Sequence, residues 1–287
     1  MLSAVVSSAR ERGEEAVVVT FWPHPRTVLQ QDAREFRILT SLEEKKALLL
    51  AAGIDRVEVI PFTREFAAMK ADEYLQLLAD KYGASLVVMG YDNRIGSDKL
   101  TAEEIGISQA VAPRPLPTSL RSVGPLPFTW PRAAMVSEDS NAPVISSTKI
   151  RKALQEGRVE EANGMLGYRY GLYGVVVAGN QMGRTMGFPT ANMQLYEPLK
   201  LVPANGVYAV EAEVLGTTYK GMCNIGMRPT VGGASRTIET HILDFDQDIY
   251  GLPLRIRFLR RIRDERKFPS LEALRKQLTL DALKCKK

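Results

Sequence analysis

Apolar runs alternate with amphipathic stretches through the first hundred residues. Three short runs are nearly continuous in apolar residues, as buried strands are: EAVVVTFWP (residues 15–23), RVEVIPF (56–62) and SLVVMGYD (85–92). Between them, SLEEKKALLLAAG (41–53) and KADEYLQLLADKYG (70–83) carry apolar residues at helical spacing and end at glycine. Strands that alternate with helices predict a doubly wound, parallel α/β domain, in which ligands bind beyond the carboxyl ends of the strands.

The pattern changes after residue 167, where the helical period gives way to short alternating strands. Glycine-containing turns separate five such segments: YGLYGVVVAG (170–179), GVYAVEAEVLG (206–216), TYKGMCNIG (218–226), RTIETHILDF (236–245) and LPLRIRFLRRI (252–262). Short alternating strands at this spacing predict a small, closed, antiparallel barrel. The last segment, FPSLEALRKQLTLDALKCKK, predicts a C-terminal helix capped by Ser270.

Between these two patterns lies a stretch without any period. From about residue 96 to residue 143 neither helical nor strand spacing is visible, and seven of the 16 prolines fall in this stretch. Two short helical patterns follow and stop at Gly157 and Gly167. The predicted domains are an α/β module at 1–150 with an irregular proline-rich segment at 96–143, a helical linker at 151–166, and a barrel at 167–287.

The composition is that of a soluble globular protein, with 45% hydrophobic and 25% charged residues among 287. No apolar run reaches the roughly 18 residues of a membrane-spanning helix, and the first residues, MLSAVVSSARERGEE, do not predict a signal peptide. Two cysteines, Cys223 and Cys285, argue against a disulfide scaffold and fit a reducing cytoplasm. We therefore expect a cytoplasmic protein without a membrane partner.

Positive charge is concentrated in the C-terminal half. From Gly167 onward there are 18 Lys and Arg against 11 Asp and Glu, so this part carries +7 while the whole chain carries +5. Seven of the positive residues lie within RIRFLRRIRDERK (residues 255–267). Such a run suits nucleic acid or a phosphorylated small molecule. Alternatively, Arg255 and Arg257 form the solvated face of a strand, because they alternate with apolar residues.

A long loop of small residues follows the first barrel strand: NQMGRTMGFPTANMQL (residues 180–195). Gly183 and Gly187 allow backbone conformations in which amide groups cradle phosphates. Thr190 and Asn192 are two residues apart, so on an extended segment their side-chain oxygens point to the same side. Neutral oxygen ligands of this kind suit a magnesium ion shared with phosphate oxygens. The alternative is a Thr/Asn pair that satisfies a turn.

Glu239 lies in TIETHILDF (residues 237–245), a strand that is otherwise mainly apolar or hydroxylic. By alternation it shares a face with His241, Leu243 and Phe245, so we expect it to point into the barrel or toward its mouth. A carboxylate in that place is costly without a partner or a function. It would either accept a proton from a substrate hydroxyl during phosphoryl transfer or pair with one of the arginines.

Five segments in order resemble the riboflavin kinase domain of the bacterial bifunctional riboflavin kinase/FAD synthetases. They are GRTMGFPTANMQL, GVYAV, NIGMRPTVGG, ETHILDFDQDIYG and FLRRIRDERKFPSLEALRKQL. The resemblance covers about residues 166–283. It implies a six-stranded Greek-key barrel that transfers the γ-phosphate of ATP to the 5′-hydroxyl of riboflavin and so makes FMN.

The resemblance also implies roles for individual residues. Thr190 and Asn192 correspond to ligands of magnesium and phosphate, and Glu239 corresponds to the catalytic base. The predicted ATP-binding residues are Gly183, Gly187, Phe188, Pro189, Thr190 and Asn192. A loop beside the site contains Asn224, Arg228 and Thr230.

The N-terminal part is similar to the FMN adenylyltransferase module of the same proteins. The similar segments are VVVTFWPHPR, LTSLEEK, VIPFTREFA, VVMGYDNRIG and ISSTKIR. The family's GxFDGVHxGH motif, whose histidines stabilise charge on ATP, has no counterpart, and residues 96–143 do not resemble the family. We therefore expect FAD synthesis to be lost, and either a damaged coding sequence or a divergent insertion explains the pattern.

A vestige of that second site is predicted. Its residues are His24, Asp92, Ser146, Ser147, Thr148 and Arg151. The members within ISSTKIR either bind ATP phosphates at a helix N-terminus or serve only as helix caps.

The sequence thus predicts a cytoplasmic, magnesium-dependent transferase: a riboflavin kinase of FMN and FAD biosynthesis. Its expected ligands are riboflavin, FMN and ATP, with no nucleic acid. The alternative is a non-catalytic barrel that binds flavin, or binds nucleic acid through residues 255–267. Glu239 and the PTAN segment favour the enzyme, because a nucleic-acid-binding barrel needs neither. The oligomeric state stays open.

Overall fold

A computed structural model of the protein describes residues 2–29, 36–89, 93–101, 104–105, 145–179, 182–230 and 233–286. The chain divides into two compact units, which we call the N-terminal unit and the barrel unit. The first comprises Met1–Phe36 with Leu42–Ala142, and the second Arg37–Ser41 with Pro143–Lys287. Most of the proline-rich segment lies outside the described residues. Within the described residues, every helix is too short or too polar to cross a membrane.

The N-terminal unit consists of short helices around a two-stranded parallel sheet. Its elements are α1 (Leu2–Arg12), β1 (Val17–Trp22), α2 (Pro25–Leu29), α3 (Leu42–Ala51), β2 (Arg56–Pro61), α4 (Arg64–Ala67) and α5 (Ala71–Tyr82). β1 pairs with β2 in parallel, from Val17 opposite Arg56 to Trp22 opposite Pro61. This parallel pair with helices between its strands confirms the predicted α/β class.

Side chains of β1 alternate between two helical layers. Val18 packs with Val6 of α1 and Leu49 of α3 on one face. On the other face the ring of Phe21 lies 5.4 Å from that of Phe66 and 6.2 Å from that of Tyr74, measured between centroids. Both faces of the sheet are therefore covered, which explains why β1 reads as a continuous apolar run.

The third predicted strand does not form among the described residues. Residues 85–89 of SLVVMGYD carry no strand, and residues 90–92 lie outside the described part. Val87 and Met89 instead pack with Ala71 in a small apolar cluster. The apolar run reflects burial, which periodicity alone does not distinguish from pairing in a sheet.

The barrel unit contains six strands and four helices in its described part. They are α6 (Ser147–Gln155), α7 (Val159–Leu166), β3 (Gly171–Val177), α8 (Met182–Thr185), β4 (Ala191–Leu195), β5 (Gly206–Val214), β6 (Thr217–Thr230), β7 (Gly233–Ile242), β8 (Pro253–Arg263) and α9 (Leu271–Lys286). The strands close into a barrel in the order β3-β4-β7-β6-β5-β8, with every pairing antiparallel. The predicted six-stranded barrel with its terminal helix is thus confirmed.

Alternation along the strands separates the inside of the barrel from its outer face, with two register shifts where β5 pairs with β8. The interior is filled by buried apolar side chains, among them Val210, Ile242 and Phe258. A second cluster, in which Met222 packs with Cys285 of α9, lies on the outer face. The C-terminal helix therefore covers outward-pointing residues of the barrel, which keeps them out of water.

The arginines of β8 are engaged in contacts within the unit. Arg263 Nε donates to Asp281 Oδ2 at 2.7 Å, and the Asp281 side chain is fully buried. Arg257 pairs with Glu213, and the guanidinium of Arg255 lies 4.8 Å from the centre of the Tyr173 ring. These contacts agree with the reading of the basic run as one face of a strand, and Arg263 ties that strand to α9.

The helical pair α6–α7 is part of the barrel's hydrophobic core. Leu154, Val159 and Ala162 are completely buried in the cluster that fills the barrel. Asn163 joins β8 to the residue just before β3, because its Nδ2 donates to Phe258 O at 2.9 Å and its Oδ1 accepts from Tyr170 N at 2.7 Å. Residues predicted to form a linker thus pack as structural members of the barrel unit.

A short segment from earlier in the chain, Arg37–Ser41, also belongs to the barrel unit. Ile38 N donates to Leu199 O, and Leu201 N donates to Ile38 O, both at 2.9 Å. Lys200 is 5% exposed, and its ammonium donates to Leu39 O at 2.7 Å. A buried ammonium requires such a partner, so this segment satisfies a polar group that the barrel would otherwise leave unpaired.

Replacing Ile38 with alanine should destabilise the barrel unit by about 2–5 kcal/mol, because the isoleucine is 3% exposed and its loss leaves a cavity. Hydrogen exchange at the amides of β5 and β6 measures the change. Leu283→Ala is the control, since Leu283 is 57% exposed. Equal protection in Ile38→Ala and the unsubstituted protein would contradict this account.

Candidate active site

The loop before β4 folds back on itself in a tight turn. Gly183 O accepts hydrogen bonds from Met186 N at 3.1 Å and from Phe188 N at 2.8 Å. A Cβ at Gly183 would lie 2.2 Å from Phe188 O, and Gly187 has a φ of +81°. Both glycines are therefore required by this turn, one for space and one for its backbone conformation.

Phe188 and Pro189 anchor the loop to β7. The Phe188 ring stands edge-on to the imidazole of His241, with 5.2 Å between ring centroids. It also packs against the apolar cluster beneath α9. His241 Nδ1 lies 2.8 Å from Pro189 O, a hydrogen-bonding distance. These contacts fix the point at which the chain enters β4, and so fix the position of Thr190.

A row of polar side chains crosses three neighbouring strands. Asn192 of β4 and Asn224 of β6 are the direct cross-strand partners of Glu239 on β7. Directly opposed residues of an antiparallel sheet project from the same face. Thr190 joins the row, because its Oγ1 is 3.4 Å from Glu239 Oε2. The register thus gathers a carboxylate and two carboxamides, and the residue just before β4 adds a hydroxyl.

Glu239 projects from the outer face of the barrel, so of the two expected orientations, into the barrel or toward its mouth, the inward one is not found. Its neighbours Ile238 and Thr240 are buried, and Ile238 and Ile242 belong to the interior cluster. The expected common face extends to Leu243, which packs in the outer cluster, and it ends before Phe245, which packs against the interior cluster. Alternation holds only while the chain stays extended.

No lysine or arginine nitrogen of the described residues lies within 4.0 Å of the Glu239 carboxylate. The alternative reading of Glu239 as a salt-bridge partner therefore finds no support in the described part of the chain. The carboxylate is half-buried and contacts a neutral hydroxyl. Such a group remains able to accept a proton from a bound molecule.

A cavity of about 200 Å³ lies at the mouth of the barrel, beside Thr190 and Asn192. Asp246, Asp248 and Tyr250 line it from the segment after β7, and Thr240 lines it from the strand itself. None of these four residues is among the site residues predicted from the sequence. The acidic run DFDQDIYG directly after β7 could have indicated them. Its closeness to the PTAN segment, however, depends on closure of the barrel.

The carboxamide of Asn192 packs directly against the backbone of Gly179. A Cβ at Gly179 would lie 2.1 Å from Asn192 Nδ2. Asn192 therefore borders both the cavity and the Glu239 carboxylate. Among the described residues no cluster of three or more His, Cys, Asp or Glu could hold a metal ion.

Cys223 lies opposite Thr240 on the interior face. Burial raises the pKa of its thiol to about 12, with a smaller raising effect from the Glu239 charge and a lowering one from the Thr240 hydroxyl. The thiol is therefore neutral at physiological pH and does not act as a nucleophile.

The other predicted residues of the barrel site lie on β6. Asn224 belongs to the polar row, and Arg228 follows on the same strand, where it is half-buried. Thr230 is the last residue of β6, and its side chain is outside the described part.

Residues of the predicted second site fall in both units. His24 is in the N-terminal unit, where its Nδ1 accepts from Arg26 N at 3.2 Å. Asp92 lies outside the described residues. The remaining four are in the barrel unit: Ser146, Ser147, Thr148 and Arg151.

ISSTKIR forms the start of α6. Ser146 is its N-cap, and its side chain accepts from Lys149 N at 3.3 Å. Arg151 Nε donates to Arg37 O at 3.1 Å, which helps to hold the Arg37–Ser41 segment. Ser147 and Thr148 are exposed in the first turn. The capping role predicted as the alternative is therefore present, whereas phosphate binding stays a prediction.

Known proteins resemble the chain in both of its units. Residues 166–287 match the family model described as riboflavin kinase, and residues 1–110 match the model described as FAD synthetase. The bifunctional riboflavin kinase/FMN adenylyltransferase of Bacillus subtilis is 35% identical over 277 residues, covering 95% of this chain and 82% of the relative. That of Escherichia coli K12 is 32% identical over 289 residues, covering 99% and 85%.

A crystal structure described as a macrolide-efflux protein from Streptococcus pneumoniae has a similar fold. It matches with a TM-score of 0.83 at 32% identity, covering 99% of this chain and 88% of that one.

The fold and the matches define a transferase of flavin biosynthesis that has both a riboflavin kinase part and an FAD synthetase part. More narrowly, the chain belongs to the bifunctional riboflavin kinase/FMN adenylyltransferase family. The resemblance described from the motifs is thereby confirmed. Because both family models match, the expected loss of FAD synthesis is not supported by these comparisons and stays a prediction.

Gly183→Ala should open the turn before β4, because the added methyl group would collide with a backbone oxygen that cannot move independently. Faster hydrogen exchange at Phe188 N, which donates to Gly183 O, measures the effect. Gly164→Ala is the matched control: Gly164 is in α7, and a Cβ there would meet nothing within 4 Å. Unchanged exchange at Phe188 N in Gly183→Ala would refute the proposed constraint.

Proposed function

We propose that the barrel unit is a riboflavin kinase, which transfers the γ-phosphate of ATP to the 5′-hydroxyl of riboflavin. The observation that carries this proposal is the placement of Glu239 between Asn192 and Asn224, with the Thr190 hydroxyl 3.4 Å from its carboxylate. A proton acceptor thus lies beside polar groups that suit a phosphate-bound ligand, at the edge of a cavity. A flavin-binding barrel without catalysis would need no such acceptor.

Glu239 acts as the general base in this proposal. It takes the proton of the riboflavin 5′-hydroxyl as that oxygen forms a bond to the γ-phosphorus, while the bond between the γ-phosphorus and the bridging oxygen of ADP breaks. The absence of a cationic partner among the described residues supports this role, because a salt bridge would stabilise the carboxylate and weaken it as a base.

Thr190 and Asn192 fit a magnesium ion, because each offers an uncharged oxygen on the side of the row where Glu239 lies. These two residues would hold the ion together with phosphate oxygens. When bound, the ion would neutralise charge on the β- and γ-phosphates. The turn at Gly183 and Gly187 would supply backbone amides to the same phosphates, which is the use predicted for these glycines.

The two substrates approach from opposite sides of the PTAN segment in this proposal. The cavity at the barrel mouth, lined in part by Asp248 and Tyr250, takes the nucleotide. The acceptor lies along the outer face of β6 and β7, where Glu239 projects. Thr190 and Asn192 would then lie between the two substrates, and the transferred phosphoryl group would lie next to Glu239.

The predicted domain boundaries also enter the proposal. The kinase module comprises the barrel at 167–287, and the helical pair at 151–166 is built into its core rather than serving as a free linker. The adenylyltransferase-like module, predicted at 1–150, is represented by the N-terminal unit, since Arg37–Ser41 and the chain from Pro143 onward belong to the barrel unit. The alternative of a nucleic-acid-binding barrel is less well supported, because Arg255, Arg257 and Arg263 are engaged with neighbouring side chains.

Glu239→Gln should slow FMN formation by about 10²- to 10⁴-fold, because it removes the proton acceptor while keeping the shape of the side chain. Single-turnover formation of FMN from riboflavin, ATP and Mg²⁺ measures the rate. Glu160→Gln, an exposed glutamate of α7, is the matched control and should leave the rate unchanged. Near-native turnover in Glu239→Gln would disprove the assignment.

The 287-residue chain is expected to make FMN with little FAD. Adenylyl transfer needs stabilisation of charge on the α-phosphate, and such electrostatic stabilisation is usually the largest catalytic contribution. The N-terminal unit contains a single histidine, His24, where the family motif has two. Incubation with FMN, ATP and Mg²⁺, followed by chromatography and a pyrophosphate assay, tests this. Release of FAD and pyrophosphate at an enzymatic rate would show the prediction to be wrong.

A further inference from the structure

A second carboxylate lies on the outer face of the barrel, two positions along β6 from the polar row. Cys223 and Ile225 point into the interior, so Asn224 and Gly226 face outward. A Cβ at Gly226 would lie 2.3 Å from Glu265 Oε1. The Glu265 carboxylate therefore rests directly on the backbone of Gly226, in space that only a glycine leaves open.

Asn224 lies between the two carboxylates. It is paired across the strands with Glu239, and its Nδ2 would be 3.4 Å from a Cβ at Gly226, where Glu265 rests. Residues two apart on a strand are separated by about 7 Å. A molecule that places one hydroxyl at Glu239 and extends along β6 would thus meet Glu265 with a second group.

Glu265 makes few polar contacts within the described part of the protein. Its Oε2 accepts from Asn205 Nδ2 at 3.3 Å, a long contact between side chains at the surface. Within the described part of the chain, Oε1 has no hydrogen bond and no salt bridge. A carboxylate with a free oxygen is an acceptor for a hydroxyl donor, because an ionised carboxylate accepts several hydrogen bonds and donates none.

We propose that Glu265 determines acceptor specificity by accepting a hydrogen bond from a hydroxyl of the ribityl chain other than the one phosphorylated. This inference rests on the proposed kinase function, since it takes riboflavin as the acceptor. The acceptor then spans two carboxylates with different tasks: Glu239 removes a proton, and Glu265 recognises the polyol. Gly226 permits this arrangement because it has no side chain.

The test compares two flavins, riboflavin and an analogue whose N10 chain is 5-hydroxypentyl, which keeps the terminal hydroxyl and lacks the others. Glu265→Ala should raise the KM for riboflavin by about 10- to 100-fold, the range for loss of a hydrogen bond to a charged group. The KM for the analogue and the KM for ATP should stay within about twofold of the unsubstituted protein. Glu265→Gln, which keeps an accepting oxygen, should fall between.

Gly226→Ala provides an independent check, because its methyl group displaces the carboxylate without removing it. Gly226→Ala should also weaken the binding of riboflavin. The double variant Gly226→Ala with Glu265→Ala should bind riboflavin no more weakly than Glu265→Ala alone. Binding of riboflavin, followed by quenching of flavin fluorescence, gives a readout that does not depend on turnover. Glu160→Ala is the control for loss of an exposed glutamate in the same unit.

The outcomes separate the two proposals. A riboflavin KM unchanged by Glu265→Ala, or raised equally for both flavins, overturns the role of Glu265 while leaving the kinase function standing. An unsubstituted protein that forms no FMN overturns both. A selective loss for riboflavin, reproduced by Gly226→Ala, supports the inference.

Discussion

The pairing of β7 with β4 and β6 is the constraint on which the site depends. Its register places Glu239 opposite Asn192 on one side and opposite Asn224 on the other. A shift of one residue in either pairing would turn the carboxylate into the apolar interior and bring Thr240 to the outer face. The apolar side chains of Ile238 and Ile242 oppose such a shift, because they would lose their burial. Core packing thereby fixes the geometry of the polar row.

The same core reaches well beyond the six strands. Leu154 and Ala162 of the helical pair are buried in it, and Leu39 packs against it from a segment more than a hundred residues earlier. The barrel unit is thus discontinuous in sequence. Arg263 adds a polar connection, since its contact with the buried Asp281 ties α9 to β8. Loss of one partner of such a buried pair is generally far more costly than replacement of both.

Anchoring of the loop before β4 links this framework to the chemistry. Phe188 is held by the outer cluster and by the His241 ring, and the Pro189 carbonyl lies against the same imidazole. Because β7 carries both His241 and Glu239, one strand positions the proposed base and also the segment that faces it. A displacement of β7 would move the two together, which preserves their separation.

Short segments of the sequence were enough to predict much of the fold and of the family. Alternation predicted the barrel strands, the glycines and PTAN marked the loop, and the ordered motifs identified the family, because periodicity and backbone requirements are properties of short segments. Tertiary structure alone decided three matters: that Glu239 faces outward beside Asn224, that Asp246 and Thr240 share a cavity with Asn192, and that Ile38 belongs to the barrel. Each depends on which distant strands become neighbours. Burial of the whole core selects which strands become neighbours, and no single segment of the sequence carries that information.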